Sequence, residues 1–345
     1  MSEKKYNSGI ILVSVLWVVV ILSMAAVTLS HFSSGAMALL DVSIGRNRAN
    51  AAARAGVAYA QNLLLNSRTT DRDTLFQCGV DLKGRKPEAV FAGVKAGVSE
   101  HFDIEFTASG YSADGAGMVV SGLEDEERRL NLNALNTGNA YIFSLLLQEF
   151  EVPAVTADEI AASVVLWKDA VLPGTSASGM NGGGTSIIFG NKYNKNRSFD
   201  VSEELLSVEG MTPGLFEKIK DFVTVFPKSG ELRVNLVTAS RPLIRAMTGR
   251  VKQRNLVAEQ LFRQRDGEDG VPFTDDDGIV GGVVLSPDDL EASRVLNYNT
   301  GVASRYFRIH VTGVDELSGA RTRLEAVVDT AAGSSESSLV AWRRE

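Results

Sequence analysis

From Ile10 to Leu29 the chain reads IILVSVLWVVVILSMAAVTL, a run without a charge. At about 1.5 Å of rise per residue, a helix of that length crosses the hydrocarbon core of a bilayer. The helical spacing does not stop there. Ile44, Ala51, Ala55, Ala58, Tyr59 and Leu63 recur at helical intervals, Arg46, Asn47, Asn50 and Gln61 fall mostly elsewhere, and no proline intervenes before Pro87. A single helix from Ile10 to Leu65, roughly 80 Å long, accounts for this pattern. The alternative is a second amphipathic helix after a joint at Ser33, Ser34 and Gly35. In either case the Ala-rich stripe of the outer half needs a sheet to cover it.

Strand-like alternation follows at Asp103 to Tyr111 and Gly117 to Leu123, joined by a turn at Ala113, Asp114 and Gly115. It returns only near the C-terminus, at Arg305 to Val314, Arg321 to Asp329 and Ser338 to Arg344, with turns at Ser318-Gly319 and Gly333-Ser334-Ser335. Between these groups the signals are mostly helical. One helix covers Ala140 to Phe150, and a second is opened by a capping box at Thr156 and Glu159 and ends near Lys168. A third runs from near Ser202 to Gly210, and a fourth starts at Thr212-Pro213 and reaches Phe222. A fifth follows Arg241-Pro242, and the Gly-rich stretch from Pro173 to Gly190 reads as a loop. Strands bracketing helices predict an α+β fold: a long N-terminal helix packed on an antiparallel sheet, with a large, mostly α-helical domain inserted. The expected divisions are a leader at 1–9, a transmembrane part at 10–30, a sheet-bearing domain at 31–125, the insert at 126–300, and closing strands at 301–345.

The charges around the apolar run set its direction. Lys4 and Lys5 precede it, and apart from His31 the first ionisable residue after it is Asp41, so the N-terminus is expected in the cytoplasm and the bulk outside. Polar Asn7, Ser8 and Gly9 separate the basic leader from the helix, and glycine permits the extended backbone that a protease needs at its scissile bond. Cleavage between Gly9 and Ile10 is one reading. A secretory signal peptide cut near Ser34 to Ala36 and a plain uncleaved anchor are the others.

Composition narrows the chemistry. The chain has 345 residues, 44% of them hydrophobic and 22% charged, enough for two packed bodies beyond the anchor. A net charge of -7 argues against bulk nucleic-acid binding. Cys78 stands alone, and His31, His101 and His310 are not spaced as paired ligands. No GxSxG elbow, Walker A loop or spaced His-carboxylate pair is present, so no active site is expected and the chain is not read as an enzyme. Leu205 to Ile219 has the outline of a helix-hairpin-helix, but its turn lacks the second glycine and its flanks carry Glu203, Glu204, Glu209 and Glu217. The acidic run from Arg265 to Gly278, with Asp266, Asp269, Asp275, Asp276 and Asp277, has oxygen chemistry compatible with calcium and is equally readable as a solvated loop. Glu124 to Glu127 with Arg128 and Arg129 reads as a solvated turn.

Lys4, Lys5, Gly9 and the apolar run resemble a prepilin signal. In most pilins the fifth mature residue is Glu, and here that position is Ser14. The absent Glu resembles one class, the K-type minor pseudopilin of type II secretion. Further segments are similar to the same family: Asp125 to Leu135, Arg197 to Ile219, Val234 to Met247, and the closing YFRIHVTG and AWRRE. After the second insert helix the family carries an Asp-Trp-x-Asp pattern, of which Trp167 and Asp169 match while Leu166 replaces the first Asp. The resemblance implies a subunit at the tip of a periplasmic pseudopilus, processed by prepilin peptidase and held in the bacterial inner membrane by a single span. It implies assembly with other minor pseudopilins, the I and J types and, as a further candidate, the H type. A minor pilin of a type IV pilus shares the N-terminus and is the alternative.

Overall fold

The computed structural model describes residues 8–66, 80–111, 117–168, 195–249, 254–272, 274, 276–277, 300–301, 304–330 and 338–344. Helix α1 runs Ser8–Asn66 without a break, about 88 Å at helical rise. It passes straight through Ser33, Ser34 and Gly35, so the two-helix alternative is not realised. Its start lies ahead of Ile10, which corrects the expected break at Gly9. Small polar residues suit a first helical turn, whose amides need no intrahelical partner.

Along its outer half α1 buries Ala49, Ala52, Ala53, Val57, Ala60 and Leu64. Small side chains at helical spacing let a sheet approach closely. After α2 (Pro87–Phe91) come strands β1 (Val94–Lys95), β2 (Glu100–Ala108), β3 (Met118–Ser121) and β4 (Glu124–Asp125). The chain returns at β9 (Tyr306–Asp315), β10 (Arg321–Asp329) and β11 (Ser338–Arg344). These form an antiparallel seven-stranded sheet in the order β1-β2-β9-β10-β11, with β3 paired to β2 and β4 to β9. Alternation sends Phe102, Ile104, Phe106, Phe307, Ile309, Val311, Leu324, Ala326 and Val328 into one core with α1. The turn expected at Ala113 to Gly115 and that at Gly333 to Ser335 lie outside the described residues.

The tightest contact is between α1 and β9. A Cβ at Gly313 would overlap the carbonyl oxygen of Ala49 and the amide of Ala53, and one at Gly56 would meet Val311 and Phe102. Hydrogen at these two positions is what permits the helix to lie on the sheet.

Between β4 and β9 the chain builds a second core. It comprises β5 (Leu130–Asn131), α3 (Ala140–Glu149), α4 (Ala154–Lys168), α5 (Pro213–Ile219), β6 (Val223–Thr224), β7 (Val234–Asn235), α6 (Arg241–Met247), α7 (Arg254–Arg265) and β8 (Thr300–Gly301). Leu130, Phe143, Leu147, Ile160, Val164, Phe199, Leu243, Ile244, Leu261 and Phe262 pack together there, and Val327 of β10 joins them from the sheet. Two short parallel pairs, β5 with β6 and β7 with β8, staple the helices. Thr212 caps α5 as expected, its Oγ1 accepting from the Leu215 amide at 3.2 Å, with Pro213 in the first turn.

Two expectations are corrected. α4 begins at Ala154 with the Pro153 carbonyl accepting its first bond, so Thr156 lies inside the first turn and is no cap. Ser202–Ser207 is a 3-10 helix rather than an α-helix, and Gly210, at φ +85, turns the chain afterwards. The Gly-rich loop from Pro173 to Gly190 lies outside the described residues.

Gly313→Val tests the close approach. Overpacking against backbone should destabilise the fold by about 1–3 kcal/mol or more, whereas Thr312→Val on the other face should change it by less than about 0.5 kcal/mol. Thermal melts of the two variants compare them directly.

Candidate functional site

The face of β9 turned away from α1 carries Arg308 and His310. The chain enters the insert along that strand, Glu124 opposite Arg308 and Asp125 opposite Phe307. A 3-10 turn, Glu126–Arg128, follows, capped by the Asp125 carboxylate, which accepts from the Glu127 amide at 2.8 Å. Glu124, Asp125, Glu126, Glu127 and Arg128 are all buried, and Glu126 is 0% exposed. The expected solvated turn is therefore a buried ionic joint. Its charges are stable inside because their partners come from distant chain: a buried charge must be paired and hydrogen-bonded.

The pairing is extensive. Glu124 meets Arg129 at 2.5 Å, Arg128 at 3.3 Å and His310 Nε2 at 2.7 Å. Glu126 takes a two-pronged contact from Arg308, at 2.6 and 2.8 Å, accepts from the Thr224 hydroxyl and lies 3.5 Å from Arg129. Arg308 also reaches Glu325 on β10 at 2.5 Å. Asp125 accepts from Asn235 at 2.9 Å, from Ser304 at 2.6 Å and from the Thr238 hydroxyl. The Arg128 guanidinium lies 5.5 Å from the ring centroids of both Phe106 and Tyr111, a favourable cation–π arrangement. Next along the chain, Asn133 donates to the Phe199 and Val225 carbonyls and accepts from the Phe199 amide. The segment Glu124 to Asn133 thus ties both strands of the sheet's centre to the interior of the insert.

Burial alone would raise each carboxyl. For Glu126 the Arg308 and Arg129 charges outweigh it and bring the pKa down to about 2. Glu124 is likewise held well below the usual carboxylate range, against its burial, by Arg129, Arg128 and the His310 ring. Asp125 goes the other way. Burial raises it, and hydrogen bonds from neutral Ser304, Thr238 and Asn235 only partly offset that. What the arrangement does is hold two bodies in register.

The residues singled out in the sequence fall elsewhere. Gly9 and Ile10 occupy the first turn of α1, and Ser14 is exposed one turn further on. Leu12–His31 is long and apolar enough to cross a membrane. Within the acidic run Asp269, Asp276 and Asp277 each accept from the Thr274 hydroxyl, at 3.5, 2.8 and 3.4 Å, while Asp266 stands apart. Asp266 turns inward to Arg265 and Arg241 at 2.6 and 2.7 Å. Asp269 accepts from the Val271 amide, Asp276 from the Glu268 amide and the Thr274 hydroxyl, and Asp277 from the Thr274 amide. Asp275 lies outside the described residues. Among the described residues no group of three His, Cys, Asp or Glu side chains could hold a metal ion. Asp266 in particular is committed to two guanidiniums and does not fit a calcium cage. Trp167 ends its helix beside Lys168, whose ammonium donates to the Asn133 and Leu135 carbonyls; Asp169 lies outside the described residues.

Glu126→Gln should cost about 3–5 kcal/mol by leaving buried guanidinium charge under-compensated. The sign of its pH dependence follows from the lowered pKa. The native carboxylate contributes stability above the unfolded value of 4.5 and loses it as pH falls from there toward about 2. Denaturant unfolding at neutral pH and at successively lower pH should therefore show the wild type and Glu126→Gln converging on acidification.

Comparison with known proteins follows the same division of the chain. Residues 128–228 match the family model of type II secretion system (T2SS), protein K. No curated protein matches the chain significantly by sequence. Among solved structures, the chain is similar in fold to a chain of the crystal structure of the GspK-GspI-GspJ complex from the enterotoxigenic Escherichia coli type 2 secretion system. The TM-score is 0.55 at 18% identity, over 86% of this chain and 94% of the other. The chain thus carries the sequence signature of type II secretion system protein K within its insert, and around it a fold similar to that of a chain of the GspK-GspI-GspJ complex.

Proposed function

We propose that this subunit stands at the tip of the type II secretion pseudopilus, where it helps to initiate assembly and to export folded periplasmic proteins across the outer membrane. The observation that carries this is the insert. A second hydrophobic core is fused to the pilin-like sheet through the ionic joint at Glu124 to Arg129. A head of that bulk, held in one orientation, would collide with subunits stacked along a shaft and is accommodated at an end. Ser14 supports the same position. The usual Glu there would pair with a neighbour's amino terminus, and a hydroxyl supplies no charge for that pairing.

In this reading prepilin peptidase cuts between Gly9 and Ile10, α1 anchors the subunit in the inner membrane by a single span, and the bulk lies in the periplasm. The partners are the I- and J-type minor pseudopilins. The solved complex that this fold resembles contains GspI and GspJ beside GspK. A type IV minor pilin is disfavoured by the protein K match within the insert.

Two results are expected. Affinity isolation of the detergent-extracted chain from its native membrane should bring down the I- and J-type subunits; recovery of type IV pilus subunits instead would contradict the reading. Gly9→Leu should leave the leader attached, seen as an unshifted intact mass, whereas the wild type should begin at Ile10.

A further inference from the structure

One end of the sheet carries two adjacent turns, each with an exposed apolar side chain, Val98 and Leu317. We propose that the turn at Ala96 to Ser99 and the β9–β10 hairpin tip at Glu316 to Gly319 form a foot that rests in the headgroup region of the bilayer spanned by α1. The inference rests on the membrane anchoring proposed above.

The geometry of α1 decides which end of the sheet faces the membrane. Moving away from the apolar span, Gly45 lies against Ser318, Ala49 and Ala53 against Gly313, and Gly56 against Val311 and Phe102. Further on, the Tyr59 hydroxyl reaches the Val90 carbonyl. The hairpin tip is therefore the membrane-proximal end. The uncharged stretch ends at Leu40, one residue before Asp41. From there to Gly45 the axial rise is only about 7.5 Å.

That stretch is also longer than a membrane needs. Ile10 to Leu40 spans about 46 Å as a helix, against a hydrocarbon core of about 30 Å and about 40–45 Å with headgroups. Met37, Leu39 and Leu40 are exposed and continue the apolar surface above His31. Covering them with lipid calls for tilt or deeper seating, and both bring the foot down to the interface.

The side chains at the foot suit that environment. Val98 is fully exposed and Leu317 is 74% exposed, each at the apex of its turn. The two turns are tied side by side, the Glu316 amide donating to the Ser99 carbonyl at 2.9 Å. Of the acidic groups nearby, Glu100 and Asp315 are engaged by neighbours and Glu316 is 65% exposed. Glu100 lies 3.8 Å from Arg48 and Glu316 lies 3.1 Å from the His101 ring. Asp315 accepts from the Ser318 amide and hydroxyl. Apolar side chains entering an interface gain by leaving water, and the exposed Glu316 carboxylate can stay at the wet headgroup level.

The test uses the full chain reconstituted alone into phosphatidylethanolamine–phosphatidylglycerol vesicles. In a Cys78→Ser background, a polarity-sensitive fluorophore is attached at Val98→Cys, Leu317→Cys, Val155→Cys or Val20→Cys, and nitroxide lipids serve as quenchers. Val155 is an exposed control on the insert, and Val20 lies in the span. Labels at 98 and 317 should be quenched several-fold more than at 155, chiefly by headgroup-level nitroxides. If they match 155 while position 20 is quenched, the foot is wrong and the anchor stands. If position 20 escapes quenching, the anchor itself fails and the foot with it. A blue shift at 98 and 317 without lipid quenching would mean contact with a second copy, and would equally overturn the lipid assignment.

Discussion

Everything in the head depends on charges that are buried where the two bodies meet. Glu124 lies in β4 at the edge of the insert, Glu126 follows as the insert begins, and Arg308 and His310 enter from β9. Each ion would be costly alone, since taking a charge out of water costs several kcal/mol. Paired, they turn that cost into a geometric requirement. The insert has one seat on the sheet in which Glu124 and Glu126 find their guanidiniums and Asp125 its hydroxyl and amide donors. Such a junction adds little net stability over a greasy one, but it penalises every displaced arrangement severely. For the tip position proposed above, that penalty is the useful property.

The opposite face of the same strands is built on a different principle. Ala49, Ala53 and Gly313 bring α1 against β9 by removing side chains rather than by pairing charges. A single strand therefore serves two interfaces, with Phe307, Ile309 and Val311 toward the helix and Arg308 and His310 toward the insert. Strand alternation makes this possible. Orientation passes from the anchor helix through β9 to the insert, without a flexible linker at the joint.

Much of this was legible in the sequence because it is local. The extent of α1, the alternating strands, the Thr212-Pro213 cap and the helix after Arg241-Pro242 are written in adjacent residues, and they appear where expected. The covered face of α1 does not: Ile44, Ala51, Ala55 and Ala58 are exposed, and the sheet instead covers the neighbouring stripe of Ala49, Ala52, Ala53, Val57, Ala60 and Leu64. The ionic joint was not legible. Glu124 to Arg129 has the composition of a solvated turn, and its burial is decided by Thr224, Asn235, Ser304 and Arg308, far along the chain. α7 was missed because Val257, Ala258, Leu261 and Phe262 form a narrow buried stripe within a polar segment. Asp266 misled for the converse reason. Its neighbours suggested an acidic surface loop, whereas Arg265 and Arg241 draw it inside.

If the joint makes the sheet and the insert a single body, they should open together. Native-state hydrogen exchange on the detergent-extracted chain measures this most directly, comparing the slowest amides of β9 and β10 with those of α3 and α6. The account predicts one shared opening free energy for both sets. Slowest amides of the insert that exchange at a distinctly lower free energy than those of the sheet would contradict it, because the insert would then be a domain that opens on its own.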